Sequence, residues 1–424
     1  MRFVSVFLLL FILNFSKDTQ AQTAPPCNLN KGYIWYGQLE LNDSISLPFY
    51  FKFEKTNTAF QIKIYNAQEI INVDEVKVTE DSVMINMPVF NSEFRCKWQS
   101  SIEHHDSLQG FWINHNRNDK NCIRFKANRI QLYSIFPCQC QAFEGKWEVT
   151  FSENTADSYK AIGIFNNSFC ADLMYGTFLT ETGDYRYLSG SVNKYFEPNS
   201  DSILTLSCFD GTHAFYFKAI KQKDGTLKSN FYSGSHHYET WSAVRNDKFK
   251  LRNPDSLTYI ISSKEKIEFR YINTEGKYIS INDLKYKGKV IVIQLMGSWC
   301  PNCMDESVMF EELYQTYNPQ GLEILALAFE KTTDTALARA RVSRFKERLH
   351  CHYDFLITGK SGKDEALAVF PTLNKIMAFP TTIYIDKQGN IRKIYTGFNG
   401  PGTGEYYIKS KSETKVFIEK LLSE

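Results

Sequence analysis

The chain has 424 residues, and its 49 Lys and Arg against 47 Asp and Glu leave a net charge of +2. At roughly 150 residues per domain, this length predicts two or three domains. With 43% hydrophobic and 15% aromatic residues and a mean hydropathy of −0.35, the composition excludes a multi-pass membrane protein and wholesale disorder. The near-neutral charge, without a long run of either sign, excludes the basic footprint of a nucleic-acid-binding protein.

The N-terminus has the three-part pattern of a secretory signal peptide. Met1-Arg2 is a short basic start, an apolar run follows from Phe3 to Phe15, and Ala21 ends a small-residue cleavage site. We therefore predict a signal peptide over 1–21 and export to the periplasm or cell envelope as a soluble protein. A retained anchor is the less favoured alternative, because the run is shorter than the about 20 apolar residues of a spanning helix.

The ten cysteines form two groups. The upstream group is Cys27, Cys96, Cys122, Cys138, Cys140, Cys170 and Cys208. The downstream group is Cys300, Cys303 and Cys351. An exported protein can form disulfides, but the spacing leaves the pairing of the upstream group open.

The chain upstream of about residue 250 is rich in strand signals. Residues 46–53 and 59–65 alternate polar and apolar side chains, as strands with one buried face do. Short strands separated by turn residues predict an antiparallel sandwich or barrel. We predict two such β-rich modules, at 27–140 and 143–248.

These modules carry a weak internal repeat. Residues 81–87 resemble 201–207, and further along 125–129 resemble 241–245. The repeat predicts two modules related by duplication, while chance similarity between strand-rich segments is the alternative.

From 255 to 424 the pattern changes to that of an α/β domain with a mixed sheet. Lys289–Met296 is a continuous apolar run, typical of a central strand covered on both faces. The predicted elements, in chain order, are a hairpin at 267–281, the central strand, a helix at 303–317, a strand at 322–329, a helix at 334–349, a hairpin at 381–396 and a helix at 411–422.

A Cys-Pro-Asn-Cys motif, Cys300 to Cys303, lies between the central strand and its helix. A cysteine at a helix N-terminus faces free N–H groups and the positive end of the helix dipole, which favour the thiolate. We expect Cys300 to be the exposed attacking thiolate and Cys303 the shielded resolving thiol. A static disulfide or half of a zinc site is the alternative, but the only close second pair, Cys138 and Cys140, belongs to another module.

Phe379-Pro380-Thr381 precedes a predicted buried strand. A proline in this position suggests a cis peptide bond. Beside the dithiol, it would leave a backbone edge free to pair with a substrate peptide. We therefore assign substrate binding to Trp299, Phe379, Pro380 and Thr381.

On these motifs, Trp299 to Cys303 and Phe379 to Asp386, together with Gly397-Phe398, the chain resembles the thioredoxin-fold thiol–disulfide oxidoreductases of the TlpA/ResA type from bacterial cell envelopes. The resemblance covers about 267–422. It implies that Glu306, three residues after the second cysteine, assists deprotonation of Cys303. Gln294 occupies the position where ordinary thioredoxins carry a buried Asp. In this respect the chain differs from ordinary thioredoxins and is similar to the TlpA/ResA type of the cell envelope.

The sequence thus predicts a β-rich N-terminal half followed by a thioredoxin-fold domain that exchanges a dithiol with protein disulfides. The resemblance implies a reductant supplied by a membrane thiol–disulfide electron donor. No cofactor or metal is expected, since sulfur carries both electrons. The alternatives are a peroxide-reducing relative, whose Pro-x-x-x-Thr-x-x-Cys arrangement is missing before Cys300, and a ligand-binding envelope protein with a subordinate redox domain. Cys351 is interpreted as a buried, inert cysteine.

Overall fold

A computed structural model describes residues 32–57, 59–99, 106–132, 140–167, 173–194, 202–261 and 267–424. The predicted signal peptide at 1–21, as well as Cys27, Cys138 and Cys170, lies outside these residues. Among the described residues, no helix is long and apolar enough to cross a membrane. The molecule has three parts: two antiparallel β barrels and a C-terminal domain with a mixed sheet.

The first barrel is a closed ring of antiparallel strands in sequence order. Its strands are β1 (Gly32–Glu40), β2 (Ser46–Lys55), β3 (Phe60–Asn66), β4 (Glu69–Val78), β5 (Ser82–Asn86), β6 (Ser92–Trp98), β7 (Ser107–Asn114) and β8 (Cys122–Leu132). Pairing of β1 with β8 closes the ring. Along β2 the alternate residues Leu47, Phe49 and Phe51 are buried, so the predicted period of two sends every second side chain into the barrel.

The second barrel is a nine-stranded sheet that also closes on itself. Its strands are β9 (Gly145–Phe151), β10 (Tyr159–Asn167), β11 (Leu173–Thr180), β12 (Gly183–Asp184), β13 (Leu188–Lys194), β14 (Ser202–Phe209), β15 (Ala214–Lys221), β16 (Leu227–Ser233) and β17 (His237–Arg245). Closure comes from the β17–β9 and β10–β11 pairings. The short β12 pairs with β11 and forms a hairpin at the rim.

The segments of the predicted repeat occupy corresponding strands. β5 and β14 are each the fifth strand around their ring, and β8 and β17 are each the eighth. Duplication remains a prediction. It requires the repeated segments to lie in equivalent strands of the two barrels, and they do. Each ring has eight strands, because β12 pairs with β11 alone and lies outside the second ring. Among the described residues, every strand of the two rings has two neighbours, so the barrel rather than the sandwich is the architecture formed.

The two barrels share apolar packing at their junction. Phe209 of β14 is fully buried in the core of the first barrel, with its ring 4.9 Å from that of Phe49 and 5.1 Å from that of Trp112. The Asn66 side chain fixes this insertion by accepting from the Phe209 N–H (3.2 Å) and donating to its carbonyl (2.9 Å). One end of the first barrel is therefore covered by the second.

The C-terminal domain has the sheet order β19-β18-β22-β21-β20-β23-β24. Its elements are β18 (Arg270–Asn273), β19 (Tyr278–Ser280), β20 (Val290–Met296), α1 (Pro301–Tyr317), β21 (Leu322–Ala328), α2 (Thr335–Arg348), β22 (Asp354–Ile357), α3 (Lys363–Val369), β23 (Thr381–Ile385), β24 (Ile391–Thr396) and α4 (Glu405–Ser423). β20, β21 and β22 are parallel, and the other pairings are antiparallel. Every residue of β20 is buried, because both faces of the strand are covered; this confirms its predicted place at the centre.

Two predicted boundaries in this domain are wrong. α4 begins at Glu405, six residues before the predicted Lys411, because its first turns pack Tyr407 against the core. The first hairpin strand is Arg270–Asn273 rather than 267–272. The segment 351–378 contains β22 and α3.

Candidate active site

The dithiol lies at the connection between the end of β20 and the start of α1. Cys300 is the N-cap residue of the helix, and it forms a disulfide with Cys303. The Sγ of Cys300 accepts the backbone N–H of Cys303 at 3.2 Å, one of the helix-end donors that have no partner within the helix. The same contact would stabilise a negative charge on this sulfur in the reduced protein.

One of the two cysteines is more buried than the sequence suggested. Cys303 is fully buried, as expected of the resolving thiol, but Cys300 exposes only 6% of its surface. The expectation of an exposed attacking cysteine is therefore wrong, because neighbouring elements cover most of its surface and Cys300 lines a cleft between them.

One of these elements is the loop before β23. The Phe379–Pro380 peptide bond is cis, which confirms the prediction from sequence. The carbonyl oxygen of Phe379 lies 3.5 Å from the Sγ of Cys300. Thr381, by contrast, is fully buried, and its hydroxyl donates to the carbonyl of Ala378 at 2.8 Å. Its side chain is therefore closed to a substrate, and its assignment to substrate binding, which was made on the backbone edge, stays a prediction.

Trp299 forms a wall beside the dithiol. Its indole N–H donates to the carbonyl of Phe329 at 3.1 Å, and its ring meets that of Phe379 edge-on at 6.0 Å. The ammonium of Lys331 lies 4.0 Å from the ring centre. These contacts hold the indole in place next to Cys300.

Glu306 lies beneath the dithiol with only 2% exposed, so it is not a solvated residue of the first helical turn. Its carboxylate accepts from the Thr382 hydroxyl and from the Gln294 amide, both at 2.8 Å. Burial raises the pKa of Glu306 to about 8, against the lowering effect of these two hydrogen bonds. The Gln294 amide also donates to the carbonyl of Cys303 at 3.3 Å, so one side chain connects the proton-holding carboxyl to the resolving cysteine.

The dithiol opens into a cleft of about 460 Å³. One wall belongs to the C-terminal domain and includes Trp299, Asn302, Met377 and Phe379. The other wall belongs to the second barrel. It consists of Tyr159, Lys160, the 180–185 segment and His213.

The hairpin of β11 and β12 touches the motif itself. A Cβ on Gly183 would lie 2.4 Å from the side-chain nitrogen of Asn302, and Gly183 has φ +144°, a backbone conformation that favours glycine. The second barrel is therefore part of the surroundings of the dithiol.

The C-terminal domain is similar to known redox proteins. The model of the AhpC/TSA family matches residues 263–394. The thiol-disulfide oxidoreductase ResA of Halalkalibacterium halodurans is 30% identical over 136 residues, which cover 32% of this chain and 69% of that protein. ResA of Bacillus anthracis is 30% identical over 146 residues, which cover 34% of this chain and 76% of the relative. Through its C-terminal domain, this chain belongs to the family of ResA-type thiol-disulfide oxidoreductases.

The match to other ResA proteins covers less of their length. The chain spans 66% of ResA from Geobacillus thermodenitrificans, at 32% identity, and 57% of ResA from Geobacillus kaustophilus, at 31% identity. Among solved structures, a thioredoxin-family thiol:disulfide interchange protein from Chlorobium tepidum covers 39% of this chain and 99% of its own, with 18% identity and a TM-score of 0.30. The reported matches to ResA lie in the C-terminal part, which leaves the two barrels to be interpreted from their own geometry.

Sequence reasoning missed two acidic or basic groups around the ResA-type dithiol. Glu330, only 2% exposed, accepts from the N–H and the hydroxyl of Ser298, both at 2.7 Å, and fixes the turn before Cys300. Arg186 of the second barrel is equally buried, and its guanidinium donates to Asp305 of α1 and to the carbonyl of Pro301 (3.3 Å). Neither had a local signal, because each partner lies at least 32 residues away in the chain.

Cys351, the third cysteine of the downstream group, does not pair with the dithiol. Cys351 is buried beside the carbonyl of Ser307, and burial raises the pKa of its thiol to about 12. Among the described residues, Cys96, Cys122, Cys208 and Cys351 are free, and no cluster of three or more His, Cys, Asp or Glu could hold a metal ion.

Proposed function

We propose that this protein is an exported thiol–disulfide oxidoreductase that reduces protein disulfides through Cys300 and Cys303. One observation carries the proposal. The Cys300 sulfur lies on the N–H of Cys303 at the start of α1 and within 3.5 Å of the Phe379 carbonyl, at the bottom of an open cleft. A thiolate held at a helix N-terminus beside a free approach path is the arrangement that disulfide exchange requires.

The reaction proceeds in two thiol–disulfide exchange steps. The Cys300 thiolate attacks one sulfur of the substrate disulfide, and the other substrate sulfur leaves as a thiolate. The Cys303 thiolate then attacks the Cys300 sulfur of this mixed disulfide and displaces the second substrate thiolate. The substrate gains two electrons, and the protein is left with the Cys300–Cys303 disulfide.

Glu306 serves the second step in this scheme. The Cys303 thiol must lose its proton before it can attack, and a carboxyl with a pKa of about 8 can accept a proton near neutral pH. No cofactor is needed, since the two sulfurs carry both electrons. A membrane thiol–disulfide donor would return electrons to the oxidised dithiol, in keeping with the export that the sequence of 1–21 predicts.

The direction of electron flow is tested by the reduction potential of the Cys300/Cys303 couple. A value near −270 mV supports a reductant, and a value near −120 mV would contradict it and indicate an oxidant. Reduced protein should also cleave a protein disulfide, whereas Cys300→Ser should lose this activity. Cys351→Ser, which removes a buried thiol of the same domain, should keep it.

Peroxide reduction on the same fold is the second candidate, favoured by the match of the AhpC/TSA family model. The chain has Gln294 to Gly297 before Ser298, without the Pro and Thr of the peroxidatic arrangement. Oxidation of the reduced protein by hydrogen peroxide and by a disulfide should be compared directly. A faster reaction with the peroxide would favour this candidate.

A further inference from the structure

We infer that the open end of the second barrel is a binding subsite for the substrate, and that the preferred substrate is an extended cysteine-containing peptide with an aromatic side chain. The inference rests on the proposed function, since it names the substrate class of the same dithiol. The subsite is called here the barrel mouth. It is lined by Ser152, Asp157, Tyr159, Tyr185, Phe215, Phe231, Ser233, His236, His237, Tyr238 and Glu239.

The barrel mouth and the dithiol cleft are adjoining spaces. Tyr159 and Tyr185 line both of them. The cleft has a volume of about 460 Å³ and the mouth about 600 Å³, each large enough for a small ligand. A ligand that occupies both while its sulfur reaches Cys300 must be longer than a single amino acid, and an extended peptide advances about 3.3 Å per residue.

The walls of the mouth suit an uncharged aromatic side chain. The Phe215 and Phe231 rings lie 5.6 Å apart, and Tyr185 meets them edge-on at 5.2 and 5.1 Å. Burial lowers the pKa of His236 to about 4, so that ring is neutral near pH 7. Aromatic side chains gain edge-on and offset contacts in such surroundings beyond the burial of their area.

A chain of hydrogen bonds keeps these walls in place. The Tyr159 hydroxyl donates to the carboxylate of Glu239 at 2.8 Å, and the Ser152 hydroxyl donates to the same carboxylate at 2.7 Å. Tyr159 and Tyr185 are joined through their hydroxyls at 2.8 Å, and burial raises the pKa of both, so they stay protonated near neutral pH. The Glu239 carboxylate therefore has hydrogen-bond donors within the protein, so a ligand in the mouth need not be cationic.

The two barrels differ in a way that supports this role. The first barrel is covered at its junction by Phe209, which fills its core from the neighbouring barrel. The second barrel has its aromatic rings around an open space on the side of the dithiol. The Phe215 and Phe231 rings belong to the core of the second barrel and also line this space, so a ligand there would extend the aromatic packing of the core.

The test uses full-length reduced protein and synthetic peptides of serine with one central cysteine, bound as a mixed disulfide to 5-thio-2-nitrobenzoate. Each peptide of the series carries one phenylalanine in place of one serine, and the series covers the positions before and after the cysteine. Release of the coloured thiolate gives the second-order rate constant. We expect one placement, or two adjacent ones, to react about tenfold faster than the all-serine peptide, in line with a well-packed aromatic contact.

Ser233→Trp should remove this advantage. Ser233 points into the barrel, on the same face of β16 as Phe231, so the indole would fill the mouth. Lys228→Trp is the matched control, because it places the same side chain on the exposed outer face of the same strand. For each protein, the rate constant of the fastest phenylalanine peptide is divided by that of the all-serine peptide. A change that affects the reactivity of Cys300 towards all peptides cancels in this ratio.

Equal rates for all peptides, or an advantage that persists in Ser233→Trp, would overturn the inference while leaving the proposed function intact. Failure of the wild type to react with any peptide or with the symmetrical disulfide of the same chromophore would instead contradict the proposed function. If circular dichroism shows that Ser233→Trp does not fold, Asp157→Trp at the exposed rim of the mouth replaces it, with the same expected loss.

Discussion

At the scale of single residues, the dithiol is asymmetric. Cys300 has a small exposed fraction and a hydrogen-bond donor for its sulfur, while Cys303 has no exposed surface. A substrate sulfur can therefore reach Cys300 and cannot reach Cys303 without rearrangement of α1. This difference assigns the two roles without reference to sequence order.

Cys303→Ser should accumulate mixed disulfides on Cys300, since the attack still occurs but the resolving thiol is missing. Cys300→Ser should accumulate about tenfold less or none, because the remaining thiol is buried. Incubation with a disulfide-containing protein, followed by non-reducing electrophoresis and mass spectrometry of the adduct, measures both. Predominant trapping on Cys303 would reverse the assigned roles.

Glu306 should make the stability of the oxidised protein depend on pH. Its pKa is about 8 in the folded protein against an ordinary 4.5, so above pH 4.5 the unfolded chain binds fewer protons than the folded one. The free energy of unfolding should therefore fall as pH rises from about 4.5 to about 8 and level off above. Glu306→Gln should make this pH-dependent decrease in the free energy of unfolding smaller by at least about 1 kcal/mol, or about 2–4 °C in Tm. Thermal unfolding at a series of pH values measures it.

Glu312→Gln is the control for this series, since Glu312 lies on the same helix with 55% of its side chain exposed. It should leave the pH dependence as in the wild type. An unchanged pH dependence in Glu306→Gln would contradict the assignment of a buried, protonated carboxyl.

The same substitution should separate the two chemical steps. Formation of the mixed disulfide needs only Cys300, whereas its resolution needs a proton acceptor for Cys303. We expect Glu306→Gln to slow resolution about tenfold or more and to leave formation within about twofold. Stopped-flow measurement of each step against pH decides this, and equal effects on both would leave Glu306 with a structural role only.

At the scale of elements, the site depends on the fit of the β11–β12 hairpin against the C-terminal domain. Gly397, just after β24, has φ +77°, and a Cβ there would lie 2.8 Å from the carbonyl carbon of Thr182 and 3.1 Å from the nitrogen of Gly183. Backbone atoms cannot move aside as a flexible side chain can. A larger residue at Gly397 must therefore displace the hairpin from the dithiol.

Gly397→Ala should lower the free energy of unfolding by about 1–2 kcal/mol more than Gly389→Ala does. Gly389 has φ +87° and no atom within 4 Å of an added Cβ, so it shares the backbone strain but lacks the clash. Urea unfolding of the two variants measures the difference. Equal losses would show that the hairpin is not held at this point.

Local sequence patterns predicted most of the elements around the site. β23 and β24 occupy the predicted ranges, since each is a short run of β-branched and apolar residues bounded by proline or glycine. α4 was predicted too short, because its first turns contact the core through the half-buried Tyr407 rather than through aliphatic residues at regular spacing. Glu306 was found through the family resemblance, and its burial depends on β23, which lies 76 residues further along the chain.

At the scale of the whole molecule, Arg186 joins all three parts. It belongs to the second barrel and exposes 2% of its surface. Its guanidinium forms ion pairs with Glu69 of the first barrel, with Asp305 of α1 and, at 3.5 Å, with Asp210 of its own barrel. Such a charge is stable in the interior only because several partners surround it.

Arg186→Met should therefore lower the free energy of unfolding by about 3–5 kcal/mol, because it leaves buried carboxylates without their cation. Arg252→Met, which breaks an ion pair with Glu181 at a side chain that is 64% exposed, should cost less than about 1 kcal/mol. Chemical denaturation followed by tryptophan fluorescence compares the two. We also expect the wild type to unfold in a single transition and Arg186→Met in separate stages, and equal losses in both variants would contradict the role of Arg186.

This level of organisation could not be predicted from the sequence. Arg186 and Asp305 are 119 residues apart, and Asn66 and Phe209 are 143 apart. Residue type and periodicity describe a residue's immediate neighbours along the chain, whereas these contacts arise only when complete domains pack together. The sequence therefore predicted the dithiol, its domain and a second β-rich module, but not that this module forms the opposite wall of the dithiol cleft.

The wall formed by the second barrel also constrains the order of events in a catalytic cycle. Among the described residues, Cys300 lines the cleft that this barrel borders, so the molecule that delivers electrons and the molecule that takes them would approach its sulfur through the same cleft. The two would then exclude each other, and each would have to depart before the other binds. Turnover would then follow ping-pong kinetics, and an excess of either partner would act as a competitive inhibitor of the other.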